Sequence, residues 1–324
     1  MTSEAGNSAP FLTIVVTGRN DDFGGDFNGR FIRALRFNHA QLSAAGVSHE
    51  FVFVEWAPIE KRPHLASVLR EELRDLVGAE LRSFVVDRAY HEALTLNPRL
   101  QFHEFIAKNV GIRRARGQFV LTTNTDIYLS RGVVNRLAAG TFETGVLYRA
   151  ARHDLKAHID VTWASWELLE DPRNCEIVNT IHPPCFTNAS GDFLLLDTIS
   201  YHRLRGFNEV YRTAKIHIDG NFCVKAHATG LILEDIGPPV YHVGRGTLHA
   251  QVGSYRENPG DAPWGDIRWK SDVVYVNTPG WGLGSAPERR LDSQSSFLEF
   301  DWNAIGPMVH LKGVVSPATR KEIA

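Results

Sequence analysis

The sequence predicts an α/β fold, an open and mostly parallel sheet flanked by helices. Short β-branched or aromatic runs (Phe11–Val16, Phe51–Val54, Ser83–Val86, Phe119–Thr122) alternate with stretches whose apolar residues recur at helical spacing. Alternation of that kind favours parallel strands joined by helical crossovers. Polar clusters also fall just after each run: Arg19–Asp22, Glu55, Asp87 and Asn124–Asp126. In open parallel sheets, ligands bind at the carboxyl ends of the strands.

The elements follow in order. Residues 1–10 read as a disordered polar tail, and Phe11–Val16 as a buried strand leading into the polar loop Thr17–Asp26. Phe31, Ile32, Leu35, His39 and Leu42 share one helical face, with Gly46 where a helix-ending glycine belongs. Phe51–Val54 is a second strand. Leu65, Val68, Leu69, Leu73 and Leu76 mark a second helix closed by Gly78, and Ser83–Val86 a third strand. A third helix spans Phe102–Arg116, before the strand Phe119–Thr122. Beyond it lie a stretch bearing Trp163 and Trp166, a Pro-rich polar loop at 179–188 and a strand at Phe193–Leu196. Thr198–Arg205 reads as a short helix stopped by Gly206, Asp219–Thr229 as a longer one stopped by Gly230, and Val240–Val243 as a last strand. The expected organisation is one domain over 11–250, in halves 11–126 and 127–250, with 251–324 an extension wrapping the core.

Composition narrows the function classes. The chain has 324 residues, 43% hydrophobic and 22% charged, an ordinary mix for a soluble globular protein with a large core. Lys plus Arg number 35 against 37 Asp plus Glu, so no positive excess exists to neutralise a phosphate backbone, and a general nucleic-acid binder is excluded. Cys175, Cys185 and Cys223 are irregularly spaced and include no CxxC pair, which argues against a disulfide framework or a cysteine metal site. Apolar runs stay near six residues, far below the roughly 20 that span a bilayer. The start MTSEAGNSAP has neither the basic nor the apolar part of a secretory signal, so the expected location is the cytoplasm. Gly24, Gly25 and Gly29 do not spell GxGxxG and sit in an acidic loop, so a dinucleotide site fails. Oligomeric state is left open.

The most informative block is Ile106-Ala-Lys-Asn-Val-Gly-Ile-Arg-Arg-Ala-Arg-Gly-Gln-Phe-Val-Leu-Thr-Thr-Asn-Thr-Asp126. It combines a helix, a glycine stop, a buried strand and an acidic end. Ala107, Asn109, Gly111, Ala115 and Gly117 fall where close helix–strand packing needs small residues and an amide. The block resembles the A-x-N-x-G-x-x-x-A-x-G, strand and D-x-D region of family 2 inverting glycosyltransferases of the GT-A fold. That resemblance implies a divalent cation, Mn²⁺ or Mg²⁺, bridging the diphosphate of a nucleotide-sugar, since a departing diphosphate gathers negative charge that a hard cation offsets. It makes Asp126 a metal ligand and places Lys108, Asn109, Asn124 and Thr125 on the nucleotide side. Asn124 stands where the first acid of D-x-D belongs.

A second block, Gly191 to Glu209, resembles the same family's strand, helix and G-G-F-D-E turn. Asp219-Gly-Asn-Phe-Cys-Val-Lys-Ala-His-Ala-Thr-Gly230 is similar to its E-D-x-D-L-C-x-R-x-x-x-x-G helix, with Ile218 and Asn221 replacing two acids. The resemblance assigns Asp219 as the base that deprotonates an acceptor hydroxyl. It makes His242 a further metal ligand, with His249 an alternative and Arg245 a diphosphate contact. His217 would position Asp219. Thr17, Arg19, Asn20, Asp22, Glu55 and Asp87 would form the nucleotide wall. Asp192, Trp163 and Trp281 are assigned to the acceptor, tryptophan offering a flat apolar face to a sugar ring. The expected function is therefore a metal-dependent transfer of sugar, with inversion, from a donor such as a UDP-sugar to a hydroxyl-bearing acceptor. A non-catalytic nucleotide-sugar binder and a nucleotidyltransferase are the rival readings.

Overall fold

β1 (Leu12–Gly18) is buried along all seven residues and forms the middle of the fold. The computed structural model describes residues 9–23, 25–76, 80–97, 100–212, 217–243 and 276–309. On one side β1 pairs in parallel with β2 (His49–Trp56), which pairs in parallel with β3 (Leu81–Val86); on the other it pairs in parallel with β4 (Phe119–Thr122). Successive side chains of a strand point to opposite faces. Val15, Val52, Val54 and Val120 accordingly enter one apolar layer, and Ile14, Val16, Phe51, Phe53 and Leu121 the other.

Helices α1 (Phe27–Ala44), α2 (Leu65–Glu72), α3 (Arg88–Leu94) and α4 (Glu104–Arg113) connect these strands. The small residues of α4 and the turn after it have a steric cause. A Cβ on Gly111 would lie 2.5 Å from the Val15 side chain, and one on Gly117 2.5 Å from the Thr13 backbone nitrogen. Helix α3 was not expected from the sequence. It is seven residues long and starts where Asp87 accepts a hydrogen bond from Ala89 N at 2.9 Å.

After β4 come β5 (Ile127–Leu129), α5 (Arg131–Ala139), β6 (Val146–Arg149), β7 (Arg152–Leu155), α6 (Trp166–Leu169) and β8 (Cys175–Asn179). They are followed by β9 (Leu194–Asp197), α7 (Thr198–Leu204), α8 (Ile218–Ala228), β10 (Ile232–Asp235) and β11 (Val240–His242). The main sheet has nine strands in the order β10-β6-β9-β4-β1-β2-β3-β13-β12, with β12 (Glu288–Arg290) and β13 (Ser295–Leu298) from the C-terminal region. It is mostly parallel, as expected; β9 runs antiparallel to both β4 and β6. A second, four-stranded sheet in the order β5-β11-β7-β8 was not anticipated.

The described part of the C-terminal region does more than lie against the core. β13 pairs in parallel with β3, and Trp281, Leu283, Leu298 and Ile305 enter the main apolar layer, Ile305 from α9 (Trp302–Val309). Gly78 and residues 1–8, 244–275 and 310–324 lie outside the described residues. Among the described residues no helix is long and apolar enough to cross a membrane.

Below the end of β2, Trp56, His91 and His103 pack edge to face, and the Trp56 indole N–H donates to His91 Nδ1 at 3.1 Å. Burial pushes His91 down to about 4 and His103 down to about 3, so both are neutral in the fold. An unfolded histidine titrates near 6.5, so below that pH the unfolded chain binds more protons than the folded one. The contribution of these two histidines to stability is therefore complete above pH ~6.5 and is lost as pH falls toward the folded values, by about 1.4 kcal/mol per unit for each. Urea midpoints at about pH 7.5 and about pH 5 measure this, and His103→Leu is expected to reduce the slope by the share of one histidine. A slope unchanged in that variant refutes the assignment.

Candidate functional site

Asn124, Thr125 and Asp126 leave the end of β4 and lead directly into β5. Strand pairing then sets their neighbours. In the second sheet His242 on β11 stands opposite Ile127 of β5 on one side and Asp154 of β7 on the other. His242 therefore stands between Asp154 of β7 and Asp126, the residue just before β5. His242 Nδ1 lies 2.8 Å from Asp154 Oδ1, and Nε2 lies 3.6 Å from Asp126 Oδ2. Arg30 on α1 donates from Nη1 to the same Asp126 oxygen at 2.6 Å, and its other nitrogens hold the Phe23 and Gly25 carbonyls.

Charge follows this geometry. Burial would raise the Asp126 carboxyl, but the His242 ring and the Arg30 guanidinium outweigh it and hold it at about 2. Burial likewise opposes a charge on His242, yet Asp126 and Asp154 push it up to about 10. The arrangement holds a positive charge between two carboxylates.

From Asp154 a chain of polar contacts leads to Asp219. Arg152 contacts Asp154 at 2.9 Å and donates to Asp192 Oδ2 at 2.7 Å. Asp192 Oδ1 accepts from Asn124 Nδ2 at 2.7 Å, and Asn124 Oδ1 accepts from Lys108 Nζ at 2.9 Å. Lys108 also donates to Gly191 O at 3.0 Å and pairs with Glu104 at 2.8 Å. Gly191 N and Ser190 Oγ both donate to Asp219 Oδ2, at 2.6 and 2.8 Å. Among the described residues no hydrogen bond reaches Asp219 Oδ1, so this oxygen keeps its capacity to take a proton. Asp126, Asn124, Asp219 and His242 are half-buried, whereas Lys108, Asp154 and Asp192 are buried.

The structure thus brings Asn124, Asp126, Asp219 and His242 into one network and gives several other expected residues different work. Lys108 is a fully buried cross-brace, not a nucleotide contact. Asn109 is corrected in the same way: its amide donates to Phe207 O and Glu209 and accepts from Phe207 N, clamping α4 to the turn after Gly206. Glu55 is fully buried, and its two oxygens accept from Leu65 N and Ala66 N, capping α2 where a ribose contact was expected. Asn20 fastens the loop at 59–63 through Ile59 and Pro63. Arg19 donates to the carbonyls of Ala57 and Gln101, Asp22 accepts from Phe27 N, and Asp87 caps α3. Thr17 and Thr125 are buried.

On the acceptor side, Asp192 is buried and committed to Asn124 and Arg152. Trp281 is only 3% exposed, packed against His202 and Arg113, so it offers no free face to a sugar. Trp163 is 89% exposed and joins none of the contacts of the network. His217 immediately precedes α8 and makes no side-chain cap to it. Arg245 and His249 lie outside the described residues.

Sequence reasoning missed Arg30, Arg152, Asp154 and Ser190. An Arg-x-Asp pair inside a strand was a usable signal, because period two puts both side chains on one face. Arg30 and Ser190 carry no comparable mark.

The cation implied by the family resemblance has a partial donor set. Among the described residues no group of three or more His, Cys, Asp and Glu side chains is arranged to hold a metal ion. Two ligands are present, however. The 3.6 Å between Asp126 Oδ2 and His242 Nε2 is too long for a hydrogen bond and is a gap that a cation bonded to both at about 2.2 Å spans. Arg30 takes one lone pair of the Asp126 oxygen and leaves another. Asp126 and His242 therefore offer two donors that fit a cation between them.

No family model and no curated protein matches the chain. Among solved structures it is similar to the catalytic domain of Drosophila beta1,4-galactosyltransferase 7 in complex with xylobiose, at 12% identity and a TM-score of 0.44, covering 90% of this chain and 95% of that one. It is also similar to GalNAc-T7 with UDP, GalNAc and Mn²⁺, at 12% identity and a TM-score of 0.47. That match covers 74% of this chain and 45% of GalNAc-T7, so the chain spans less than half of it. Likeness at this level bears on neither the chemistry nor the residues of the site.

Asn109 separates a structural role from a ligand role. Asn109→Ala strips partners from Phe207 N–H and from the Glu209 carboxylate inside the core and is expected to cost about 2–3 kcal/mol of stability. Melting curves with and without nucleotide check it: the melting point falls and the ligand-induced rise persists. An unchanged melting point with a lost ligand response returns Asn109 to the nucleotide.

Proposed function

We propose that the chain is a glycosyltransferase that moves a sugar from a nucleotide-sugar donor, a UDP-sugar by preference, to an acceptor hydroxyl with inversion. The observation that carries this reading is the run of polar contacts from His242 to Asp219 through Asp154, Arg152, Asp192, Asn124, Lys108 and Gly191, with Asp126 at 3.6 Å from the His242 ring. Had Asp126 and Asp219 lain in unrelated parts of the fold, donor and acceptor chemistry would have no common place. The block resemblances at 106–126 and 191–230 support the same reading, and they name Asp126 and Asp219 independently of the contacts.

Asp219 is the proton acceptor in this reading. Gly191 N–H and Ser190 O–H fix its Oδ2, which orients the carboxylate without consuming Oδ1. Oδ1 then takes the acceptor's proton as its oxygen attacks the anomeric carbon. Attack on the face opposite the leaving group inverts that carbon through an oxocarbenium-like transition state. Asp126 and His242 would hold a divalent cation, which when bound offsets the charge of the departing diphosphate. Lys108 and Asn124 keep the donor and acceptor sides in register. The cytoplasm remains the proposed location.

The test is release of nucleoside diphosphate from a panel of nucleotide-sugars, with sugar acceptors and with Mn²⁺ or Mg²⁺. Asp219→Asn is expected to lower kcat by ~10²–10⁴-fold with little change in donor KM. Wild-type turnover in that variant removes Asp219 from catalysis. Pyrophosphate as product makes the chain a nucleotidyltransferase, and donor binding without turnover makes it a binder.

A further inference from the structure

We infer that Asp154 is a positioning residue for the cation site, fixing His242 in the tautomer and ring orientation that turn Nε2 toward Asp126 as a metal ligand. The inference deepens the reading above and rests on its cation.

An imidazole offers two nitrogens, and only one of them can face a cation with a lone pair while the other carries the proton. His242 Nδ1 lies 2.8 Å from Asp154 Oδ1, and an ionised carboxylate accepts but never donates. Nδ1 therefore carries the hydrogen, and Nε2, on the Asp126 side, is the nitrogen whose lone pair is left to face a cation. A carboxylate behind a ligating histidine sets ring orientation and raises ligand basicity.

Asp154 is itself held for this purpose. Its Oδ2 accepts from Arg152 Nη2 at 3.0 Å and from Asn179 Nδ2 at 2.9 Å, and Arg152 Nε approaches Oδ1 at 2.9 Å. The side chain is buried, and the parallel pairing of β7 with β11 fixes Asp154 beside His242. All the other groups around it are N–H donors, so an amide at 154 cannot satisfy both sides. Its NH₂ faces either Arg152 and Asn179 or His242, and the second choice makes Nδ1 the acceptor and leaves the hydrogen on Nε2, where it blocks a cation.

The experiment measures Mn²⁺ affinity on the full chain from the loss of the free-ion EPR signal, for wild type, Asp154→Asn, His242→Ala and the double variant. Asp154→Asn is expected to weaken binding ~10–100-fold in the wild-type background. With His242 already removed, the same substitution is expected to change affinity less than about twofold, because Asp154 acts through the ring. Equal losses in both backgrounds reveal a merely structural role and overturn the inference, as does wild-type affinity in Asp154→Asn. If wild type binds no Mn²⁺, the inference and the cation fall together. If the cycle holds but no donor is turned over, only the transferase reading falls.

Should Asp154→Asn fail to fold, ¹⁵N-histidine NMR of the wild-type chain with Zn²⁺ decides, the His242 signals being assigned by their absence in His242→Ala. Nδ1 protonated and Nε2 bound to Zn²⁺ is the expected state, and the reverse arrangement overturns the inference.

Discussion

Burying the Lys108 ammonium constrains everything around it. The side chain has no exposure, and withdrawing an ammonium from water costs several kcal/mol unless its donors are satisfied. An ammonium has three hydrogens, and Lys108 meets three oxygens: Glu104 one turn earlier on α4, Asn124 at the end of β4 and Gly191 before β9. These oxygens come from separate parts of the chain, so satisfying one ion pins three elements. Gly191 is gripped at both ends, its carbonyl by Lys108 and its N–H by Asp219. A side chain there would crowd Asp219, since a Cβ would lie 3.3 Å from its Oδ2.

The same constraint explains why residue 124 is an amide where the resembling family carries an acid. Asn124 must accept from Lys108 and donate to Asp192 at 2.7 Å. An aspartate would satisfy the ammonium but would set its second oxygen against the Asp192 carboxylate in a buried position. Asparagine supplies one acceptor and one donor on a planar group, which suits a site between a cation and an anion. The departure from D-x-D is thus accounted for by local charge. Asp126 keeps the acid of the motif, and with His242 it makes the two metal ligands that the resemblance implies.

Much of this was legible in the sequence, for physical reasons that differ between parts. β4 and the stops of α7 and α8 were readable because buried strands demand unbroken apolar runs and because Gly206 and Gly230 take left-handed backbone, at φ of 64° and 87°. The second sheet was not readable. Its strands are short, and β7 carries Arg152, His153 and Asp154 where a strand signal needs apolar alternation. In the site, spacing around Asp126 and Asp219 survives in linear sequence because each sits at the end of a regular element. The role of Asp154 depends on its pairing with a residue 88 positions away, which no local pattern encodes. The front loops were over-read for the opposite reason. Glu55, Asp87 and Asn20 are residue types that serve a ligand or a turn equally well, and here helix starts and loop carbonyls claim them.

The order of charges accounts for the positive charge favoured on His242. Arg30, Asp126, His242, Asp154, Arg152 and Asp192 follow one another in space with alternating sign when His242 is protonated. Asp126 and Asp154 then each lie between two positive groups, Asp192 adjoins Arg152, and no like charges are adjacent in the row. A neutral His242 would leave Asp126 and Asp154 facing each other across an uncharged ring, and the rise of its pKa to about 10 against burial reflects that cost. The position between Asp126 and the ring therefore favours positive charge. A divalent ion replacing the ring proton there adds one net charge to a balanced row. In the proposed reaction, the diphosphate of the donor would offset that added charge.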